Sequence, residues 1–129
     1  MRFILGSLLF VLAGMMLGCS GAAAGGSSYS SGTDLRQRYP SGVAVVYFYS
    51  TTCASCKVQN QHNPEIAAAL DGLGVTYAKI NPNSATIKRY NLTRFPTIVV
   101  LQNGEITKRW TGVVYKEDIL PVVRAAVGR

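Results

Sequence analysis

The sequence predicts an α/β fold, a three-layer sandwich of helices around a central mixed β-sheet. Three observations carry this. Helix-like and strand-like segments alternate in the order α-β-α-β-α-β-β-α between Asp34 and Val127. The first strand-like run, Val43-Ala44-Val45-Val46-Tyr47-Phe48-Tyr49, is nearly continuously β-branched and aromatic, as in a strand buried on both faces. The last two strands meet at Asn103-Gly104, a dipeptide suited to a tight hairpin. A parallel β-α-β half followed by a hairpin closes one mixed sheet.

The elements follow in order. Asp34 to Tyr39 forms a short helix, with Thr33 as its N-cap. Val43 to Tyr49 is the first strand. Cys56 to Leu70 is helical, with Ile66, Ala67, Leu70 and Leu73 on one face. Pro64 is expected to kink or interrupt it, because proline removes an N–H and clashes with the preceding turn. Val75 to Ile80 is the second strand. Ser84 caps a helix running to about Tyr90. Thr97 to Gln102 and Glu105 to Thr111 are the hairpin strands. Lys116 to Val127 is a closing amphipathic helix, with Pro121 a local irregularity.

The chain has 129 residues, enough for one domain and not two, and 48% of them are apolar, so a packed core is within reach. The net charge of +7 is scattered. Lys88-Arg89 and Lys108-Arg109 are doublets, not a stripe, which argues for a solvated basic surface and against a nucleic-acid partner.

The N-terminus reads as a targeting segment. Met1-Arg2 is a positive start, and Phe3 to Leu17 carries no charge. That stretch is shorter than the roughly 20 apolar residues a membrane-spanning helix needs, but it suits a signal-peptide core. Met16-Leu17-Gly18-Cys19 resembles the lipobox of bacterial lipoprotein signal peptides, where cleavage precedes a lipidated Cys. Met16 stands where Leu is usual. Ser20 follows, not the Asp associated with retention at the inner membrane. The resulting division is a signal peptide over 1–18, a lipidated Cys19 with a flexible Gly/Ser tether over 19–32, and a domain over 33–129. The alternative is an ordinary cleaved signal in which Cys19 is incidental. Either way the domain is expected outside the cytoplasm, where disulfides persist.

The chemistry lies in Cys53-Ala54-Ser55-Cys56, at a strand-to-helix junction. Two residues between cysteines let both sulfurs reach bonding distance within one turn. The junction sets the first sulfur at a helix N-terminus, where unpaired N–H groups favour the thiolate that attacks disulfides.

Beyond that motif, Phe95-Pro96-Thr97 lies about forty residues downstream, followed by Asn103-Gly104-Glu105 and then Gly112. Ile80-Asn81-Pro82-Asn83 leads through Tyr90-Asn91-Leu92 into the Phe-Pro-Thr segment. In these motifs and intervals the chain resembles the thioredoxin family from Asp34 to Val127, with the first strand of the family absent or weak. The resemblance implies that Cys53 is the nucleophile and Cys56 the resolving thiol. It implies that Pro96 is a cis-proline beside the Cys pair, and that Phe95, Pro96 and Thr97 receive an extended substrate segment by strand addition.

Several positions depart from the family. Thioredoxins carry Gly-Pro between the cysteines and usually Trp before them; here Ala54-Ser55 and Thr52 stand there. No His or charge separates the sulfurs, so the thiolate stabilisation of strongly oxidising relatives is not indicated. The family's buried Asp and neighbouring Lys are matched to Tyr47 and Tyr77. Tyr is a poorer base than a carboxylate near neutral pH. Water or a backbone group would then activate Cys56, or exchange would be slower; core packing is the simpler role for both tyrosines.

Lys57 reads as a solvated first-turn residue, Trp110 as packing or surface. His62, the sole histidine, could join Cys53 and Cys56 as a third metal ligand, but a closed zinc site needs four, and no metal or other cofactor is expected. The resemblance implies a thiol–disulfide oxidoreductase, expected to be a monomer; the N-terminal segment sets it on the periplasmic side of a bacterial envelope, and the uncharged Cys53–Cys56 segment favours a reductase over an oxidase. Its expected partners are cysteine-containing envelope proteins, a membrane redox partner, and the membrane itself through Cys19. The rival is a binding module of the same fold whose Cys pair is only structural.

Overall fold

The computed structural model describes residues 32–128. The proposed signal peptide, Cys19 and most of the tether lie outside the described residues. The described elements are α1 (Leu35–Arg38), β1 (Val43–Phe48), α2 (Ala54–Asp71), β2 (Thr76–Ile80), α3 (Ser84–Tyr90), β3 (Thr97–Gln102), β4 (Glu105–Thr111) and α4 (Lys116–Val127). The order is the predicted one. Among the described residues no strand precedes β1.

The sheet has the order β2-β1-β3-β4. β1 runs parallel to β2 and antiparallel to β3, and β3 pairs antiparallel with β4. Because side chains alternate along a strand, β1 and β3 feed two cores. Val45, Tyr47, Ile98 and Val100 pack with Ile66 and Leu70 of α2 and Ile119 and Val123 of α4. Ala44, Val46, Phe48, Val99 and Leu101 pack on the other side with Leu35 of α1, and Ile87 and Tyr90 of α3 lie against them. The sandwich therefore has three layers.

At the hairpin, Asn103 (φ 52°) and Gly104 (φ 79°) both have positive φ, the type I′ geometry that matches strand twist. A Cβ at Gly104 would come within 2.8 Å of Arg36 Cα, so the hairpin tip can rest on α1 only as glycine.

The structure moves several sequence-based boundaries. Asp34, not Thr33, caps α1, its Oδ1 accepting from the Arg36 N–H at 3.0 Å. The Thr33 N–H donates instead to Thr86 Oγ1 at 2.7 Å. Asn83, not Ser84, caps α3, accepting from the Thr86 N–H at 3.0 Å. Pro64 does not interrupt α2, nor Pro121 α4. A mid-helix proline costs about 3 kcal/mol and pushes the residue before it away from helical geometry. That residue, Asn63, is buried and held by bonds to Gln59, Asn60 and Tyr77, which keep the turn helical.

Candidate active site

The pairing of the sheet explains how distant residues meet. Phe48, the last residue of β1, faces Thr97, the first of β3, and Thr97 faces Thr111 at the end of β4. The segments just beyond these ends, which carry Cys53, Pro96 and Gly112, therefore emerge at one edge of the sandwich.

Cys53 is the N-cap of α2, and its Sγ accepts from the Cys56 N–H at 3.1 Å. Cys56 sits in the first helical turn and is 2% exposed, whereas Cys53 is half-buried. The two are joined as a disulfide with Cα atoms 5.2 Å apart. The exposure difference orders the chemistry, because only Cys53 Sγ can be approached from solvent. When the bond is reduced, the N–H already aimed at Cys53 Sγ stabilises a thiolate there.

The Phe95–Pro96 peptide is cis. The Phe95 carbonyl oxygen lies 3.3 Å from Cys53 Sγ, a contact in which a thiol can donate and a disulfide sulfur cannot. Pro96 is buried, and its carbonyl accepts from the Gly112 N–H at 2.8 Å. Thr97 is wholly buried, with Oγ1 donating to the Arg94 carbonyl at 2.6 Å. The structure thus brings Cys53, Cys56, Phe95, Pro96 and Thr97 into one cluster. Lys57 is exposed at its margin.

Beneath the disulfide lies a chain of side-chain hydrogen bonds that sequence reasoning missed. The Tyr47 hydroxyl is within reach of both the Cys56 carbonyl (3.3 Å) and Asn60 Oδ1 (3.2 Å). Asn63 Nδ2 donates to Asn60 Oδ1 at 3.2 Å. Asn63 Oδ1 accepts from Gln59 Nε2 at 3.3 Å and from the Tyr77 hydroxyl at 2.6 Å. Burial, then the neighbouring Tyr49, holds the Tyr47 hydroxyl above its ordinary range; burial, then Tyr47, does the same to Tyr77. Both stay neutral near pH 7 and serve as hydrogen-bond donors rather than bases. The signal was present: Cys56, Gln59, Asn63, Ile66 and Leu70 recur at helical spacing and are all buried. Apolar residues mark that face from Ile66 onward, and Gln59 and Asn63 continue it toward the cysteines as polar side chains.

Tyr77 does not stand opposite Tyr47 on the neighbouring strand. The register pairs Tyr47 with Lys79, and Val45 with Tyr77. The lysine of the family's charged pair therefore has a counterpart in Lys79, whose Nζ lies 5.9 Å from the Tyr47 ring centre. Only the acidic member is replaced. His62 stands edge-on to Tyr115, with ring centres 4.8 Å apart. No group of three or more His, Cys, Asp or Glu residues placed to hold a metal ion occurs among the described residues. Trp110 is half-buried and packs against the α2/α4 core.

Comparison with known proteins agrees with this geometry. The thioredoxin family model matches residues 33–125. The thioredoxin of Staphylococcus epidermidis is 28% identical over 92 residues, covering 70% of this chain and 88% of the relative. That of Staphylococcus aureus is 28% identical over 91 residues, with the same coverage of 70% and 88%. Among solved structures, Fasciola hepatica thioredoxin superposes with a TM-score of 0.58 at 21% identity, over 71% of this chain and 88% of that one. A thioredoxin mutant from Halobacterium salinarum gives 0.59 at 21% identity, over 67% and 76%. These two likenesses bear on the fold.

Proposed function

The chain belongs to the thioredoxin family and is a thiol–disulfide oxidoreductase, and we propose that it reduces protein disulfides in a bacterial cell envelope. The observation that carries the reading is the accessible Cys53 sulfur, bonded to a buried Cys56 and set against the Phe95 carbonyl.

In the reduced protein, the Cys53 thiolate attacks one sulfur of a substrate disulfide. The substrate S–S bond breaks, and the first substrate sulfur leaves as a thiolate. A mixed disulfide then links Cys53 to the substrate. The Cys56 thiolate attacks Cys53 Sγ, the mixed bond breaks, and the second substrate thiolate leaves. Two electrons pass from the Cys pair to the substrate, whose two thiolates take up the protons the cysteines gave up. The protein ends as the Cys53–Cys56 disulfide. Phe95 offers its backbone to an extended substrate segment, which lines the substrate sulfur up with Cys53. Tyr47 cannot act as the base for Cys56 near neutral pH, so water takes the Cys56 proton without a side-chain base at Tyr47, or exchange is slower than in a thioredoxin with a carboxylate there.

The preference for reduction rests on the segment between the cysteines. Ala54 and Ser55 add no charge to stabilise the reduced form, which is what makes a strong oxidant. The envelope location rests on the N-terminal sequence, with Cys19 as the lipid attachment point. A reductase there needs electrons from a membrane redox partner, and its clients are cysteine-containing envelope proteins.

The deciding measurement is the reduction potential of the Cys53–Cys56 pair, by equilibration with a dithiol buffer and mass-shift alkylation. A value near thioredoxin's, about −270 mV, supports a reductase; one near about −120 mV makes the protein a disulfide donor. Location is tested separately, by the mass of Cys19 in protein from a bacterial membrane fraction. An unmodified Cys19 removes the anchor from the proposal.

A further inference from the structure

Gln59 is wholly buried on α2, one turn beyond Cys56. Its amide makes two bonds to a single backbone residue of the loop before α4. Nε2 donates to the Val114 carbonyl at 2.9 Å, and Oε1 accepts from the Val114 N–H at 2.7 Å. A side chain here reproduces the paired bonds of two strands. An apolar residue of the same volume would bury as much surface but leave the buried Val114 N–H and carbonyl without these partners. Its contribution is therefore direction rather than burial.

The loop it grips leads to the active site. Val114 lies two residues after Gly112, whose N–H donates to the Pro96 carbonyl at 2.8 Å. The preceding carbonyl, of Phe95, lies 3.3 Å from Cys53 Sγ. Cys53 begins the helix that carries Gln59. The contacts form a closed circuit from Cys53 along α2 to Gln59, across to Val114, back through Gly112 to Pro96, and so to Cys53 again.

We propose that Gln59 is a positioning residue for exchange with peptide-borne disulfides, fixing the Phe95–Pro96 loop relative to Cys53. A helix held only by apolar contacts can shift by a fraction of an ångström at little cost. Two short hydrogen bonds to one backbone residue resist that shift. Attack on a disulfide needs the reacting atoms about 3–3.5 Å apart and aligned, so small displacements matter. The inference rests on the reading above that the Phe95 loop holds an extended substrate segment.

The test uses the full chain, reduced, with two substrates. One is dithiobis-nitrobenzoate, which needs only Cys53. The other is a disulfide between two cysteines of an extended peptide, which also uses the loop. The wild type is expected to favour the peptide. Gln59→Met is expected to lower the peptide rate by about 10- to 100-fold, mainly through kcat, with a loss at least about tenfold greater than on the small disulfide. Gln59→Glu keeps the shape and the acceptor for the Val114 N–H, and its peptide-to-small ratio is expected between those of the wild type and Gln59→Met. It decides the matter if Gln59→Met does not fold. Equal losses on both substrates, or an unchanged ratio in a folded variant, overturn the positioning role. A wild type with no preference for the peptide shows instead that the loop does not hold substrate, and the inference falls with that reading.

Discussion

The sheet face under α1 and α3 is packed by Leu35, Val46, Phe48, Val99 and Leu101, all wholly buried, whereas the face under α2 and α4 carries Tyr47, Gln59, Asn63 and Tyr77 among its apolar residues. Hydrogen bonds on the first side tie down the chain leading into α1: Thr86 Oγ1 accepts from the Thr33 N–H, and the Tyr90 hydroxyl accepts from that of Leu35. On the second side they run directly beneath the disulfide. Apolar packing is non-directional and supplies stability in proportion to area. Hydrogen bonds supply less net stability but fix one arrangement. The chemistry sits on the face where position matters. Every buried side-chain nitrogen and oxygen among the described residues has a partner, so the polar face is a completed network.

The largest effect that would separate the faces comes from Leu101→Ala. It empties a wholly buried site on the α1/α3 side, and stability in urea is expected to fall by about 2–5 kcal/mol. Exchange per folded molecule should hold, since Leu101 lies at the far end of β3 from Thr97. A loss of exchange beyond the loss of folded protein would show that the faces are not independent.

Alkaline pH probes the other face. Burial raises the Tyr47 and Tyr77 hydroxyls above their unfolded value near 10. The stability they contribute is fully present below about pH 10 and is lost as pH rises through their folded values, by up to about 1.4 kcal/mol per pH unit for each group. Tyr77→Phe should therefore flatten the alkaline limb of stability against pH relative to wild type. Parallel limbs would mean that Tyr77 is not shielded as the structure has it.

Tyr47→Phe is the smallest of these changes. It keeps the ring and removes a hydroxyl shared between the Cys56 carbonyl and Asn60, at an expected cost of about 1 kcal/mol. Exchange should slow far less than in Cys56→Ser, which retains the mixed disulfide on Cys53. If insulin reduction falls equally in both variants, Tyr47 takes part in the chemistry.

Much of this molecule is written locally. The hairpin strands and α4 fall where Asn103-Gly104 and the Lys116–Val127 pattern put them, because turn chemistry and periodicity act over a few residues. The Cys pair was legible for the same reason, since a strand end, an N-cap and a first helical turn are contiguous in the chain. The caps of α1 and α3 lie one residue from Thr33 and Ser84, at Asp34 and Asn83. Thr33 and Asp34 are both competent caps, and it is Thr86, far along the chain, that takes the Thr33 N–H and leaves the capping to Asp34.

What the sequence by itself determined was the alternation of elements, the sheet's buried central strand and the place of the redox pair. Tertiary structure alone decided the rest. The β1–β2 register set Lys79, not Tyr77, opposite Tyr47, because the pairing of two strands is fixed by contacts across the sheet rather than along it. Tertiary structure also kept α2 intact through Pro64, where the bonds joining Asn63 to Gln59, Asn60 and Tyr77 outweigh the proline's local preference. Local propensities amount to a few kcal/mol at most per residue, and a buried network that joins a helix, two strands and a loop can override them.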